Sequence, residues 1–162
     1  MPQVTLKTNR DKNIKLFNQW IFSGAVEKSD AADGEIAEII SSKGEFLGSG
    51  YYNSKKQISV RMLSFGKIFT DDIFREKIIE AKRKREAARI PESSDVYRIV
   101  FSEGDFIPGL IADYYAGHIV VQSLTKGADN LLDQFCSILT ELYKPLSIYE
   151  RSEHKGREQE GA

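Results

Sequence analysis

The sequence predicts an α+β protein of two small domains: a β barrel first, then an α+β domain with a mostly antiparallel sheet and two helices. Three observations point there. Short apolar, β-branched segments separated by turn residues fill the first 65 or so positions. Near residues 65–72 the apolar period changes from that of a strand to that of a helix. Beyond that point strand-like and helix-like segments mix up to residue 149.

The elements follow in order. Gln3 to Lys7 alternates and suits a short strand, and Lys12 to Phe17 suits a short helix. Glu35 to Ile40 is apolar and β-branched. Lys43-Gly44 marks a turn, and Phe46 to Tyr52 follows as a strand. Ile58 to Leu63 is another, with Ile58, Val60 and Met62 on one face and Ser59, Arg61 and Leu63 on the other. A helix then opens at Thr70, a capping residue, with Asp71 and Asp72 in its positive first turn. It is expected to run to about Ile90, where Pro91 stops it. Phe74, Ile78 and Ala81 form its apolar stripe. Its C-terminal end carries Lys82 to Arg85 and Arg89, cations that complement the helix dipole and are expected in solvent.

Strand signals return at Tyr97 to Phe101, Leu110 to Tyr114 and His118 to Gln122, the last two flanking a Tyr115-Ala116-Gly117 break. Leu131, Leu132, Phe135, Ile138, Leu139 and Leu142 recur at helical spacing, Pro145 follows, and Leu146 to Tyr149 reads as a closing strand. The resulting boundaries are residues 1–70, residues 71–152 and a polar tail over residues 153–162.

The composition is globular, with 41% apolar residues in a 162-residue chain. A formal net charge of -1 argues against strong nonspecific nucleic-acid binding, while local basic patches stay open. The single Cys136 rules out an intrachain disulfide, and with only His118 and His154 beside it a zinc site is not expected. No signal core and no apolar stretch of about 18 residues is present, so a cytoplasmic chain without a membrane partner is expected.

No residue set reads as catalytic. Gly48-Ser49-Gly50 begins a glycine fingerprint, but Asn53 stands at the final position and no helix follows; a bulge or a close backbone approach is the better account. Glu103, Asp105 and Asp113 could suggest acid–base work, yet Gly104, Pro108 and Gly109 mark a turn. Cys136, on an apolar helix, reads as a buried, inert thiol. His118 and His154 read as surface residues.

The first domain holds a more suggestive set. Aromatic Trp20, Tyr51 and Tyr52 lie near Lys15, Lys43 and Arg61 in sequence, and Phe22 adds another ring. Rings stack unpaired bases and cations hold phosphates. Equally, Trp20 and Phe22 could be core and the lysines merely solubilising.

Several phrases carry a family resemblance. They are Trp20-Ile21-Phe22-Ser23-Gly24-Ala25-Val26, Gly48-x-Gly50-Tyr51-Tyr52-Asn53 with Val60-Arg61, Tyr97-Arg98-Ile99-Val100, the run from Glu103 to Asp113, Tyr149-Glu150-Arg151-Ser152 and Arg157 to Gly161. Together they resemble the N-terminal part of the large-subunit ribosomal RNA cytosine-5 methyltransferases with a leading PUA domain. The resemblance implies a PUA-like RNA-binding pseudobarrel over residues 1–70 and a central α+β domain over 71–152. It adds Ser23 and Gly24 to Lys15, Trp20, Lys43, Tyr51, Tyr52 and Arg61 as RNA-binding candidates. It also implies RNA, ribosomal in the family, as partner. Departures are Gln19, where His or Arg is expected, and the lack of a cofactor loop and a catalytic-cysteine motif before Ala162. The chain is therefore expected to be the RNA-recognition portion of an S-adenosylmethionine-dependent enzyme, inactive and cofactor-free by itself, its tail leading to a missing catalytic domain. A stand-alone RNA-binding or protein-interaction module is the alternative.

Overall fold

A computed structural model describes residues 1–152. His154, the 153–162 tail and the Arg157 to Gly161 phrase lie outside the described residues. The chain divides into two compact units, Met1–Thr70 and Asp71–Ala162.

Unit 1 is one curled six-stranded sheet. Its elements are β1 (Gln3–Leu6), α1 (Lys12–Lys15), β2 (Trp20–Phe22), β3 (Val26–Ser29), β4 (Ile36–Ile40), β5 (Phe46–Tyr52) and β6 (Ile58–Phe65). The strand order is β2-β6-β5-β4-β1-β3, with β1 parallel to β4 and the other pairs antiparallel. Register shifts at Thr5/Leu6, Ile21/Phe22, Ile39/Ile40 and Ser49/Gly50 bend the strands, since an extra residue in one strand raises its local twist. The sheet wraps around Val4, Leu6, Ile14, Ile21, Ile39, Val60 and Met62.

Gly48 and Gly50 allow that wrap. A Cβ on Gly48 would lie 2.1 Å from the Ser64 carbonyl oxygen, and one on Gly50 would lie 2.5 Å from that of Arg61. Gly48 also has φ +144°, which side-chain-bearing residues rarely adopt. The glycines serve a close approach of β5 to β6, as expected from their place in a strand.

Unit 2 comprises α2 (Asp71–Ala87), α3 (Ile90–Ser93), β7 (Val96–Phe101), β8 (Leu110–Tyr115), β9 (His118–Ser123), α4 (Lys126–Asp129), α5 (Leu132–Tyr143) and β10 (Ser147–Glu150). The sheet order is β10-β9-β8-β7; β10 runs parallel to β9 and the remaining pairs are antiparallel. Ala116 (φ 45°) and Gly117 (φ 95°) both take left-handed conformations in the β8–β9 turn, whose twist then matches the strands. Phe74, Ile78 and Ala81 of α2 and Phe135, Ile138 and Leu139 of α5 are buried with Ile99, Leu110, Ala112, Ile119 and Val121 of the sheet. The Phe74 and Phe135 rings lie 6.2 Å apart. Arg75 of α2 also bridges to Glu141 of α5, with Nη1 2.8 Å from Oε2.

Two expectations for α2 are corrected. It ends at Ala87, not near Ile90, because Arg89 adopts a left-handed conformation (φ 54°). Pro91 does not stop it; Pro91 sits in the first turn of α3, where its missing N–H costs nothing.

At the basic end of α2, Arg83, Lys84 and Arg89 are exposed as expected, but Arg85 is not. Arg85 is largely buried and donates both guanidinium nitrogens to the Asp105 carboxylate at 2.7 Å each. Its Nε donates to the Arg98 carbonyl at 3.0 Å. Asp105 also accepts the Phe101 N–H at 2.7 Å. Burial raises the Asp105 pKa, but the hydrogen bonds from Arg85 and Phe101 outweigh it and hold the carboxyl below its usual range. Lys82 pairs with Glu86 and lies 5.6 Å over the Tyr143 ring, and Arg89 pairs with Glu92 at 2.7 Å. The dipole account alone is incomplete, because Arg85 bonds across to the turn after β7.

Arg85→Met is expected to destabilise unit 2 by about 3–5 kcal/mol, because it strips a buried carboxylate of its bidentate partner and leaves only Lys84, 3.8 Å away. Urea unfolding measures this. Gly48→Ala is expected to cost on the order of 1–3 kcal/mol or more, whereas Gly24→Ala, with nothing within 4 Å of the new methyl group, should change stability by no more than about 0.5 kcal/mol. Equal losses at Gly48 and Gly24 would refute the close-approach account.

Candidate nucleic-acid interface

Strand alternation decides which rings of unit 1 face outward. In the three residues of β2, Ile21 points into the core, so Trp20 and Phe22 point away; they are 42% and 46% exposed. This corrects the reading in which both rings were core. The Asn18 side-chain oxygen accepts the Trp20 N–H at 2.9 Å, fixing the entry to the strand. Residues Ser23–Ala25 then form a 3-10 turn.

That turn meets the β1–α1 connection. Lys7 donates its backbone N–H to the Ala25 carbonyl at 2.9 Å and its Nζ to the Gly24 carbonyl at 3.1 Å. Asn9, with φ 62°, reverses the chain towards α1. Between the two segments lies a cleft of about 400 Å³ lined by Arg10, Lys12, Asn13, Trp20, Phe22 and Gly24, among others. Cationic side chains and aromatic faces thus share one concave surface, and Gly24 adds a stretch of backbone with no side chain above it.

The candidates read from sequence separate into groups. Trp20 and Gly24 line the cleft, and exposed Ser23 adjoins it. Arg61 is partly buried on β6, directly opposite Trp20 and Tyr51 in the strand register. Tyr51 is buried and Tyr52 half-buried against the unit 1 core, so Tyr51 offers no open face for stacking. Lys43 is exposed in the β4–β5 turn and does not line the cleft. Lys15 is bonded to Glu45 at 2.7 Å and Asp11 at 3.0 Å, and those hydrogen bonds raise its pKa. Its charge is therefore largely compensated within the unit. Sequence reasoning missed Arg10, Lys12 and Asn13. Their only signal was a polar run, Thr8 to Asn13, between two apolar segments.

In unit 2 the acidic phrase is structural. Glu103 and Asp105 lie in a 3-10 turn, Ser102–Asp105, and Asp113 pairs with Arg98 at 2.8 Å. Cys136 is half-buried rather than fully buried, and burial followed by the Asp133 and Glu150 charges raises its pKa. A thiolate nucleophile needs the opposite shift. His118 is exposed, with Nδ1 2.8 Å from Ser147 Oγ. Among the described residues no group of three or more His, Cys, Asp or Glu is placed to hold a metal, and no helix is long and apolar enough to cross a membrane.

Comparison with known proteins gives this geometry a context. Residues 4–65 match a family model described as a PUA-like domain. Unit 1 is a PUA-like domain. The likeness extends past it. The chain is 34% identical to ribosomal RNA large subunit methyltransferase I of Shewanella amazonensis and 33% identical to that of Aliivibrio fischeri, in each case over 98% of this chain and 41% of the relative. The chain thus spans about two fifths of the length of these curated relatives. A solved structure of SMU.776, described as a methyltransferase complexed with SAH, superposes with a TM-score of 0.82 at 19% identity, covering 94% of this chain and 40% of that one. A structure from Streptococcus mutans, described as that of a SAM-dependent methyltransferase, gives 0.81 at 19% identity. These structures share the fold. The PUA-like domain and its neighbour are therefore related to one portion of ribosomal RNA large-subunit methyltransferases.

One titratable group of unit 2 has a measurable consequence. Lys77 donates Nζ to the Phe106 carbonyl at 2.7 Å and lies 5.4 Å over the Phe106 ring. Burial, with a smaller contribution from the Lys84 charge, lowers its pKa from 10.5 to about 8. Between those values the unfolded chain binds more protons at this site, so stability is expected to rise with pH across that window. Lys77→Met should remove this part of the slope in urea titrations at pH 8 and pH 10. An identical slope in the variant would count against a desolvated Lys77.

Proposed function

We propose that this chain is the RNA-recognition portion of an S-adenosylmethionine-dependent ribosomal RNA methyltransferase, acting on cytosine C5 in the cytoplasm. Its share is to dock and orient the RNA; methyl transfer belongs to a catalytic domain elsewhere in the parent protein. The carrying observation is the PUA-like domain's cleft, where exposed Trp20 and Phe22 stand beside Arg10 and Lys12. A base stacks on the Trp20 face while the cations hold flanking phosphates. The kinship with ribosomal RNA methyltransferases supports the choice of RNA.

Gly48 and Gly50, which begin the glycine fingerprint, do not fit the cofactor. A cofactor loop needs open backbone after a strand, and the space beside Gly48 and Gly50 is filled by the β6 carbonyls. No step of the reaction is assigned to residues of this chain.

Fluorescence anisotropy with single-stranded RNA tests the proposal. Trp20→Ala is expected to cost on the order of 1–3 kcal/mol of binding. Arg10→Ala and Lys12→Ala should each flatten the salt dependence by about 0.7 in log–log slope, and Lys15→Ala should leave it nearly unchanged. Native affinity and slope in a folded Trp20→Ala, Arg10→Ala double variant would remove the cleft from the interface.

A further inference from the structure

The sheet of unit 2 has one face that its helices leave open. Leu110 and Ala112 of β8 and Ile119 and Val121 of β9 are buried on the helix side. The alternate positions face the other way, and the register aligns them in rows. Val96, Tyr115, His118 and Ser147 form one row across β7, β8, β9 and β10. Arg98, Asp113, Val120 and Tyr149 form the next, and Phe101, Ile111 and Gln122 a third. Three aromatic rings stand out from this face: Phe101 is 53% exposed, Tyr115 45% and Tyr149 65%.

The charge on this face is sorted by depth. Asp113 is buried, while its partner Arg98 remains nearly half exposed, and Lys84, at the end of α2, reaches the cleft beside Arg98 and Phe101 nearly half exposed as well. In this pair the carboxylate lies beneath and the cation lies outward. The Arg98 guanidinium is held by Asp113 and sits 5.2 Å from the Phe101 ring centre. A cleft of about 460 Å³ runs between Phe101, Arg98 and Tyr115. A second, of about 370 Å³, shares Arg98 and Phe101 and reaches Lys84 and Arg85.

We infer that this open face is a second surface for single-stranded RNA, separate from the cleft of the PUA-like domain. Unpaired bases stack on Phe101, Tyr115 and Tyr149, and the outward cations Arg98 and Lys84 meet the phosphates. Two features favour RNA over a protein partner. A protein–protein interface core is depleted of charge, whereas an ion pair occupies the middle of this face. The rings of Tyr115, Tyr149 and Phe101 also stand on three separate strands and in three successive rows, an arrangement suited to separate flat bases. Neither feature depends on the cleft around Trp20.

The test uses the full chain and a fluorescein-labelled single-stranded RNA. Phe101→Leu and Tyr149→Leu keep apolar bulk and remove the ring face, so the fold is expected to survive, as circular dichroism would report. Each should weaken binding about tenfold. Affinities within twofold of native in both variants would overturn the inference and leave a protein partner as the occupant. Trp20→Ala is measured in parallel. Loss there alone sinks this surface and spares the cleft; loss in the Phe101 and Tyr149 variants alone does the reverse. Photocrosslinking of the unaltered chain to 4-thiouridine RNA gives a check that needs no variant. Crosslinked peptides from residues 96–101, 110–115 or 147–150 support the inference, and crosslinks confined to residues 1–70 refute it.

Discussion

The Arg85–Asp105 pair is the constraint around which unit 2 is organised. Two carboxylate oxygens receive two guanidinium nitrogens and the Phe101 N–H. The remaining guanidinium nitrogen, Nε, reaches the Arg98 carbonyl. One planar cation therefore fixes the end of α2, the last residues of β7 and the turn that follows. A lysine, a point charge without the fork, could not satisfy these partners together. Because the β7 backbone is held from the helix side, the Arg98 and Phe101 side chains are directed to the opposite face. Of the basic run of α2, which in sequence suggests a field open to solvent, Arg85 is committed to this attachment while Arg83, Lys84 and Arg89 stay exposed.

The PUA-like domain solves a different problem, that of bending a sheet of few residues around a small core. Register shifts bend its strands, and Gly48 and Gly50 let β5 approach β6 closely enough to close the curve. The same economy shapes the cleft. β2 is only three residues long, so committing Ile21 to the core obliges Trp20 and Phe22 to face out. Exposed aromatic rings are here a direct result of strand geometry, and the cations of the neighbouring connection complete the surface.

Most of the architecture was legible in the sequence because long elements carry a period. The Phe74, Ile78, Ala81 stripe, the apolar series from Phe135 to Leu139 and the strand His118–Ser123 all show it. The three-residue β2 and four-residue β3 do not, since so few residues cannot define a repeat, and both went unread as strands. The α2 terminus was misplaced because a left-handed Arg89 has no sequence signal comparable to a glycine. At the candidate site, Trp20 and Gly24 were legible through the family phrase, while Arg10 and Lys12 were not. Their position depends on a loop folding back against the Ser23–Ala25 turn. Lys15 and Tyr51 lie outside the cleft for a related reason: ion pairing to Glu45 and burial are tertiary facts.

The parallel β10 strand carries a consequence for the order in which the protein takes shape during synthesis. Every pairing of the PUA-like domain is available once Phe65 has emerged from the ribosome, so that domain can finish folding early. Unit 2 cannot. β9 must wait for the α4–α5 crossover before it meets Ser147–Glu150, which lie 29 residues further along in the register Ser147↔His118. Until then β9 offers an unpaired edge of apolar, β-branched residues, Ile119 to Val121, of the sort that invites pairing with other chains. A nascent chain paused before residue 150 would thus hold one finished domain and one sticky, incomplete sheet, and the length of the α4–α5 crossover sets how long that exposure lasts.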